Sequence, residues 1–173
     1  MQIIETSIHG LRVIKSPAYP DRRGYFEKVY SQELFKSHSL NIYWPEQNSA
    51  WNAAKGTLRG IHWQSPFPEI KMVRCTAGSV YDVVVDLRID SPTYLKYEGF
   101  DLHFLDNTQI YIPKGCGHAY ITKQNNSCVD YLISEKWYPE YYRGARCDDP
   151  KLNIKWPTEI VWISDQDKNW PLL

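Results

Sequence analysis

Val80-Tyr-Asp-Val-Val-Val-Asp-Leu-Arg88 is the stretch on which the fold turns. Its apolar run is nearly continuous, the pattern of a strand buried on both faces rather than one alternating between core and water. Around it lie further short β-type runs: Lys71–Cys75, Gln109–Pro113, His118–Lys123 and Ser127–Lys136. Thr76-Ala-Gly78, Ser91-Pro92 and Pro113-Lys-Gly115 punctuate them as turns. Short strands at such spacing indicate a sandwich or barrel, with a jelly roll as the natural candidate. Residues 1–14 alternate loosely and read as an entering strand, and Tyr25–Tyr30 as another. The single clear helix of the first half is Gln32–His38, N-capped by Ser31, with Leu34 and Phe35 as its buried face. The tail, Asp148–Leu173, is expected to pack as irregular structure around Ile160–Ser164.

Composition agrees with this reading. The 173 residues suit one domain, 1–173, with no repeat or linker-like shift inside it. Seven Trp, 13 Tyr and 5 Phe beside 11 Pro fit a rigid β body with aromatic-lined pockets. Twenty basic residues balance 20 acidic ones, so there is no basic excess of the kind nucleic-acid binding or a membrane surface calls for. Cys75, Cys116, Cys128 and Cys147 form no CxxC pair. With no signal peptide or bilayer-length apolar run, they read as free thiols of a cytoplasmic protein.

Two segments present histidines. In Arg59-Gly-Ile-His-Trp-Gln64, the glycine is expected to let backbone approach a ligand, and strand alternation separates Arg59 from His62. Pro113-Lys-Gly-Cys-Gly-His118 delivers a second histidine from a Gly-rich turn. A metal-binding cupin places its ligands this way but usually has two His one residue apart. Here position 64 is Gln, and the His118 strand holds no second His, so no metal is expected. Taken singly, His62 is a core histidine, Lys71 a surface lysine and Tyr131 a core aromatic. Ser164-Asp-Gln-Asp167 is an Asp-rich turn.

Together these pieces resemble a family. Asp21-x-Arg23-Gly24-x-Phe26, Gln47, Arg59-Gly-Ile-His62-Trp-Gln64 and Lys71 come first in order. Gly78-x-Val-x-Asp82-x-x-x-Asp86-Leu-Arg88 and Ile112-Pro113-x-Gly115-x-x-His118 follow, then Tyr131 with Tyr138-Pro139. Asp148-Asp149-Pro150 and Ser164-x-x-Asp167 complete the series. From about residue 10 to residue 170 they are similar to the dTDP-4-dehydrorhamnose 3,5-epimerases, nucleotide-sugar epimerases of the cupin superfamily.

That resemblance implies a mainly β, cupin-type jelly roll with a few short helices. It also implies a nucleoside-diphospho-4-keto-6-deoxy sugar epimerised at C3 and C5 with no metal or organic cofactor. The catalytic set it implies is His62 as base, Asp167 behind it, Lys71 beside the C4 oxygen and Tyr131 as acid on the other face. Arg59 and Arg23 are expected at the diphosphate, Gln47 and His118 along the pocket, and Trp137 against the base. Phe26 and Arg23 are expected to complete the pocket of a second copy, in a homodimer with exchanged N-terminal strands. Departures fall in the binding set. Lys28 stands where the family usually has glutamate, and Trp51 stands for a small serine and is expected to reshape the sugar pocket. Gln166 replaces a basic residue. These leave two alternatives open: inversion at C3 or C5 alone on a GDP- or CDP-linked sugar, and sugar binding without catalysis.

Overall fold

A computed structural model describes residues 1–173. The chain opens with strands β1 (Gln2–Glu5), β2 (Arg12–Lys15), β3 (Ala18–Asp21) and β4 (Gly24–Glu27), then helix α1 (Gln32–Ser37). Strands β5 (Glu46–Asn52), β6 (Leu58–Gln64), β7 (Lys71–Ala77) and β8 (Ser79–Asp86) follow. Next come β9 (Tyr97–His103), β10 (Thr108–Ile112), β11 (Cys116–Thr122), β12 (Ser127–Ile133), the short β13 (Tyr142–Gly144) and helix α2 (Asp165–Lys168).

Two antiparallel sheets face each other, as a jelly roll requires. One runs β1-β2-β10-β7-β12-β5 and the other β13-β6-β11-β8-β9. Between them lies a core that includes Val73, Val80, Val84, Leu102, Ile110, Ile112, Tyr120 and Val129. The continuous apolar run of β8 has a direct cause. Val80 and Val84 point into this core, while Val83 and Val85 point outward into a second cluster with Ile61, Ala119, Leu152 and Ile154. The C-terminal tail supplies Leu152 and Ile154, so it covers the outer face of the five-stranded sheet. Its anchor is therefore Leu152–Trp156 rather than Ile160–Ser164, where Val161 and Trp162 are exposed. A third cluster of Ile14, Phe35, Met72 and Tyr111 seats α1 on the outer face of the six-stranded sheet.

Other expectations shift locally. Residues 1–14 hold two strands, because the chain reverses at Gly10 (φ +85°) and β2 pairs back on β1. The strand expected at 25–30 ends at Glu27. Ser31 is the N-cap of α1, yet its hydroxyl caps nothing, and Leu34 is only half-buried.

β3 and β4 pair with each other and with neither main sheet. The hairpin leaves Tyr19, Tyr25 and Phe26 in solvent, Phe26 with 68% of its surface exposed. Glu27 ties its base to the sheet through Arg74, 2.5 Å away.

Candidate active site

Between the sheets opens a cavity of about 730 Å³. Among the expected residues it is lined by Arg59, His62, Lys71, His118, Tyr131, Trp137 and Asp167. β6 and β11 bring the two histidines from the five-stranded sheet, while β7 and β12 bring Lys71 and Tyr131 from the opposite one.

Simple alternation would send Arg59 and His62 to opposite faces, but both line the cavity. The register explains it: His118 pairs with His62 while Tyr120 pairs with Arg59, so β6 holds an extra residue there. This bulge turns Ile61 into the outer cluster and re-aims the strand. Gly60 sits in it at φ +109°, and an added Cβ would lie 2.5 Å from the His118 carbonyl oxygen. Within the chain its close approach is to the backbone of β11.

His62 Nε2 lies 2.5 Å from Asp167 Oδ1. Asp167 is well fixed. Its backbone N–H donates to Ser164 Oγ at 3.0 Å, the N-cap bond of α2. Its carboxylate accepts from the Gly60 N–H at 3.3 Å and from the Trp170 indole at 3.1 Å. Trp170 reaches it by lying over Gly144, where a Cβ would meet the indole at 2.3 Å. Burial opposes the charge on Asp167, but the His62 ring, with the Gly60 N–H and the indole, outweighs it and lowers the pKa. An ionised carboxylate on Nε2 holds the imidazole proton there and leaves Nδ1 as the basic nitrogen.

Tyr131 faces this dyad from the other sheet. Burial, then the neighbouring Tyr120 phenol and the Asp82 carboxylate, push its pKa well above the ordinary value. The phenol therefore keeps its proton at neutral pH and is a donor. His118 lies beside it, ring centroids 5.9 Å apart, with Nε2 2.7 Å from the buried Asp82 carboxylate. Lys71 Nζ pairs with Glu69 at 3.0 Å. Asn52 holds Arg59 by accepting from its Nε at 2.8 Å, and is itself bonded to Tyr120.

Four expected binding residues lie elsewhere. Arg23, Phe26 and Lys28 are exposed on or just after the β3–β4 hairpin, outside the cavity, and Arg23 pairs with Asp21 at 2.5 Å. Gln47 lines a different cavity, on the outer face of the six-stranded sheet, because Asn48 and Ala50 take the inward positions of β5. Trp51 also lies off this chain's cavity, 60% exposed. Gln166 does line it. Sequence reasoning left out Asn52, Glu69, Tyr142 and Trp162. Glu69 stood two residues before Lys71, on the same face of an extended chain, which was the available signal. Tyr142 lies 4.9 Å from the His62 ring only because β13 pairs with β6, and no local pattern announces that.

No group of three His, Cys, Asp or Glu side chains converges to hold a metal. A base held by an ionised carboxylate on one sheet and a protonated phenol on the other can move protons on both faces of a bound ring.

Fold and pocket define a cupin-type jelly-roll protein, an isomerase of the epimerase type by its relatives. The chain belongs to the family described as dTDP-4-dehydrorhamnose 3,5-epimerase, whose model matches residues 5–173. A relative of that name from Methanothermobacter thermautotrophicus is 35% identical over 172 residues, 98% of this chain and 92% of its own. The Bacillus anthracis enzyme, solved with TDP and pyrophosphate bound, superposes at TM-score 0.96 with 31% identity, covering 99% of both chains. The Legionella pneumophila enzyme, solved with dTDP-4-keto-L-rhamnose, superposes at 0.94 with 32% identity over 99% of this chain and 92% of that one.

Proposed function

We propose that the protein inverts C3 and C5 of a dTDP-linked 4-keto-6-deoxy sugar by proton abstraction next to the ketone and reprotonation on the opposite face. The observation that carries this reading is the placement of the His62–Asp167 pair and Tyr131 on opposing sheets of one cavity. Removing a proton α to a carbonyl needs a base, a stabiliser for the developing enolate and an acid on the far face. His62 Nδ1 takes the proton while Asp167 stabilises the imidazolium. The Lys71 ammonium, at the C4 oxygen, offsets the enolate charge. Tyr131 delivers the new proton. Arg59, pre-oriented by Asn52, meets the diphosphate, and the half-exposed Trp137 meets the nucleotide base.

Incubation with dTDP-, GDP- and CDP-linked 4-keto-6-deoxy sugars in D2O tests the reading. Deuterium is expected at C3 and C5 of the dTDP sugar, with inverted product, at the same rate with and without EDTA. No exchange on any of the three removes the reading. Loss with chelator and recovery with a divalent ion removes its cofactor-free form, which rests on the donor set: no three His, Cys, Asp or Glu side chains converge there.

The functional unit in this reading is a cytoplasmic homodimer in which the β3–β4 hairpin carries Arg23 and Phe26 to the pocket of the second copy. Support comes from the hairpin itself, which pairs with no sheet of its own chain and exposes three aromatic rings. Sedimentation should give twice the chain mass. Mixing an Arg23→Ala protein with a His62→Ala protein should restore activity, since one pocket of the mixed dimer is then intact. A monomer with full activity would overturn the exchange.

A further inference from the structure

The reaction as described leaves one pocket carboxylate without a task. Glu69 lines the cavity beside Lys71, and its side chain is only 9% exposed. Oε1 takes the Lys71 ammonium at 3.0 Å. Oε2 is sealed from bulk water and meets no donor on the protein. A carboxylate oxygen withdrawn from water without a hydrogen bond is costly, and folds seldom retain one without a partner. The protein offers none. Burial, then the charges of Asp167 and Glu69, raise the pKa of the Tyr142 phenol, but it makes no hydrogen bond to Glu69.

We infer that Glu69 is a specificity-determining residue: as substrate enters, its carboxylate turns about the terminal torsion, and the oxygen sealed in the cavity wall accepts a hydrogen bond from the sugar hydroxyl at C3, beside the ketone. The inference rests on the proposed function, which places the Lys71 ammonium at the C4 oxygen. An α-hydroxy ketone presents an acceptor and a donor on adjacent carbons. Lys71 and Glu69, joined through Oε1, present the matching donor and acceptor side by side. On the other flank of the ketone, C5 of a 6-deoxy sugar bears a methyl group and the ring oxygen, neither of which can donate. The Lys71–Glu69 pair therefore also settles which way round the ring enters, with its C3 edge toward β7. A sugar lacking that hydroxyl leaves the buried oxygen unpaired, a mismatch that such sites reject more strongly than a missing methylene.

The test compares dTDP-4-keto-6-deoxyglucose with its 3-deoxy counterpart, reading deuterium uptake at C5, a position both share. Wild-type kcat/KM for C5 exchange should be roughly 10- to 100-fold lower on the 3-deoxy sugar, the scale of a lost hydrogen bond to a charged group. In Glu69→Ala, shown by its melting curve to be folded, the two sugars should come within about threefold of each other. Glu69→Leu, which keeps bulk but offers no acceptor, serves the same comparison if the alanine variant does not fold. Equal wild-type rates on the two sugars leave the functional reading standing and overturn the inference. Discrimination that persists in the folded variant overturns it too, since Glu69 would then only hold Lys71 or a water molecule. No C5 exchange on either sugar removes both readings together.

Discussion

His62→Ala should lower both solvent exchange and epimerisation by roughly 10³- to 10⁴-fold, the scale of a lost general base. Both fall together because abstraction precedes every later step, whichever carbon is attacked. Asp167→Asn should leave a larger remnant, since the carboxylate touches the base and not the sugar. Asp167 keeps its charge through the neutral range because the His62 ring, the Gly60 N–H and the Trp170 indole outweigh its burial. Asp167→Asn therefore removes a charge that stands beside the imidazole throughout that range, so its loss of rate should be much the same from one end of the range to the other. Deuterium uptake and product stereochemistry, followed from about pH 5 to 9, read both effects. Wild-type exchange in His62→Ala would place the base elsewhere in the cavity.

How much of this site the sequence discloses depends on the distance over which each feature is encoded. β8 was legible because its residues alone state that both faces are buried, and the two clusters on either side of it agree. Lys71, His118 and Tyr131 could be placed from the family resemblance, since each lies on a regular strand whose inward face follows by alternation. Arg59 and His62 could not be put on one face by that rule. The bulge that joins them is set by the pairing of β6 with β11, nearly 60 residues further along the chain. Gln47 and Trp51 failed for the converse reason. They belong to the outward set of β5, and a motif quoted as a string of residues does not say which parity faces inward. Glu69, too, is readable only in three dimensions. A glutamate two residues from a lysine is ordinary in sequence, and what marks this one is that an oxygen buried without a donor belongs to a side chain in the cavity wall.

Tyr131→Phe should uncouple the two faces of the reaction. The phenylalanine ring keeps the packing against His118 and the core between the sheets, so substrate affinity should change little. Only the hydroxyl goes, and with it the proton held in place by burial and by the neighbouring Tyr120 and Asp82. Net inversion should fall by roughly 10²- to 10⁴-fold, the usual contribution of a general acid. His62, on the opposite sheet, is untouched and continues to form the enolate. With no donor on the far face, the enolate takes a proton back from the imidazolium, which has had time to exchange with solvent. Deuterium then enters at C3 or C5 with the original configuration kept. A ratio of exchange to inversion well above that of the wild type is the expected signature, measured by mass and by product stereochemistry on one sample. Loss of exchange in step with inversion would mean that the phenol assists abstraction as well. Inversion at the wild-type rate would reduce Tyr131 to a packing residue. The acid would then have to be sought among the remaining donors of the cavity, of which Tyr142 is on the wrong side, its ring 4.9 Å from the base itself.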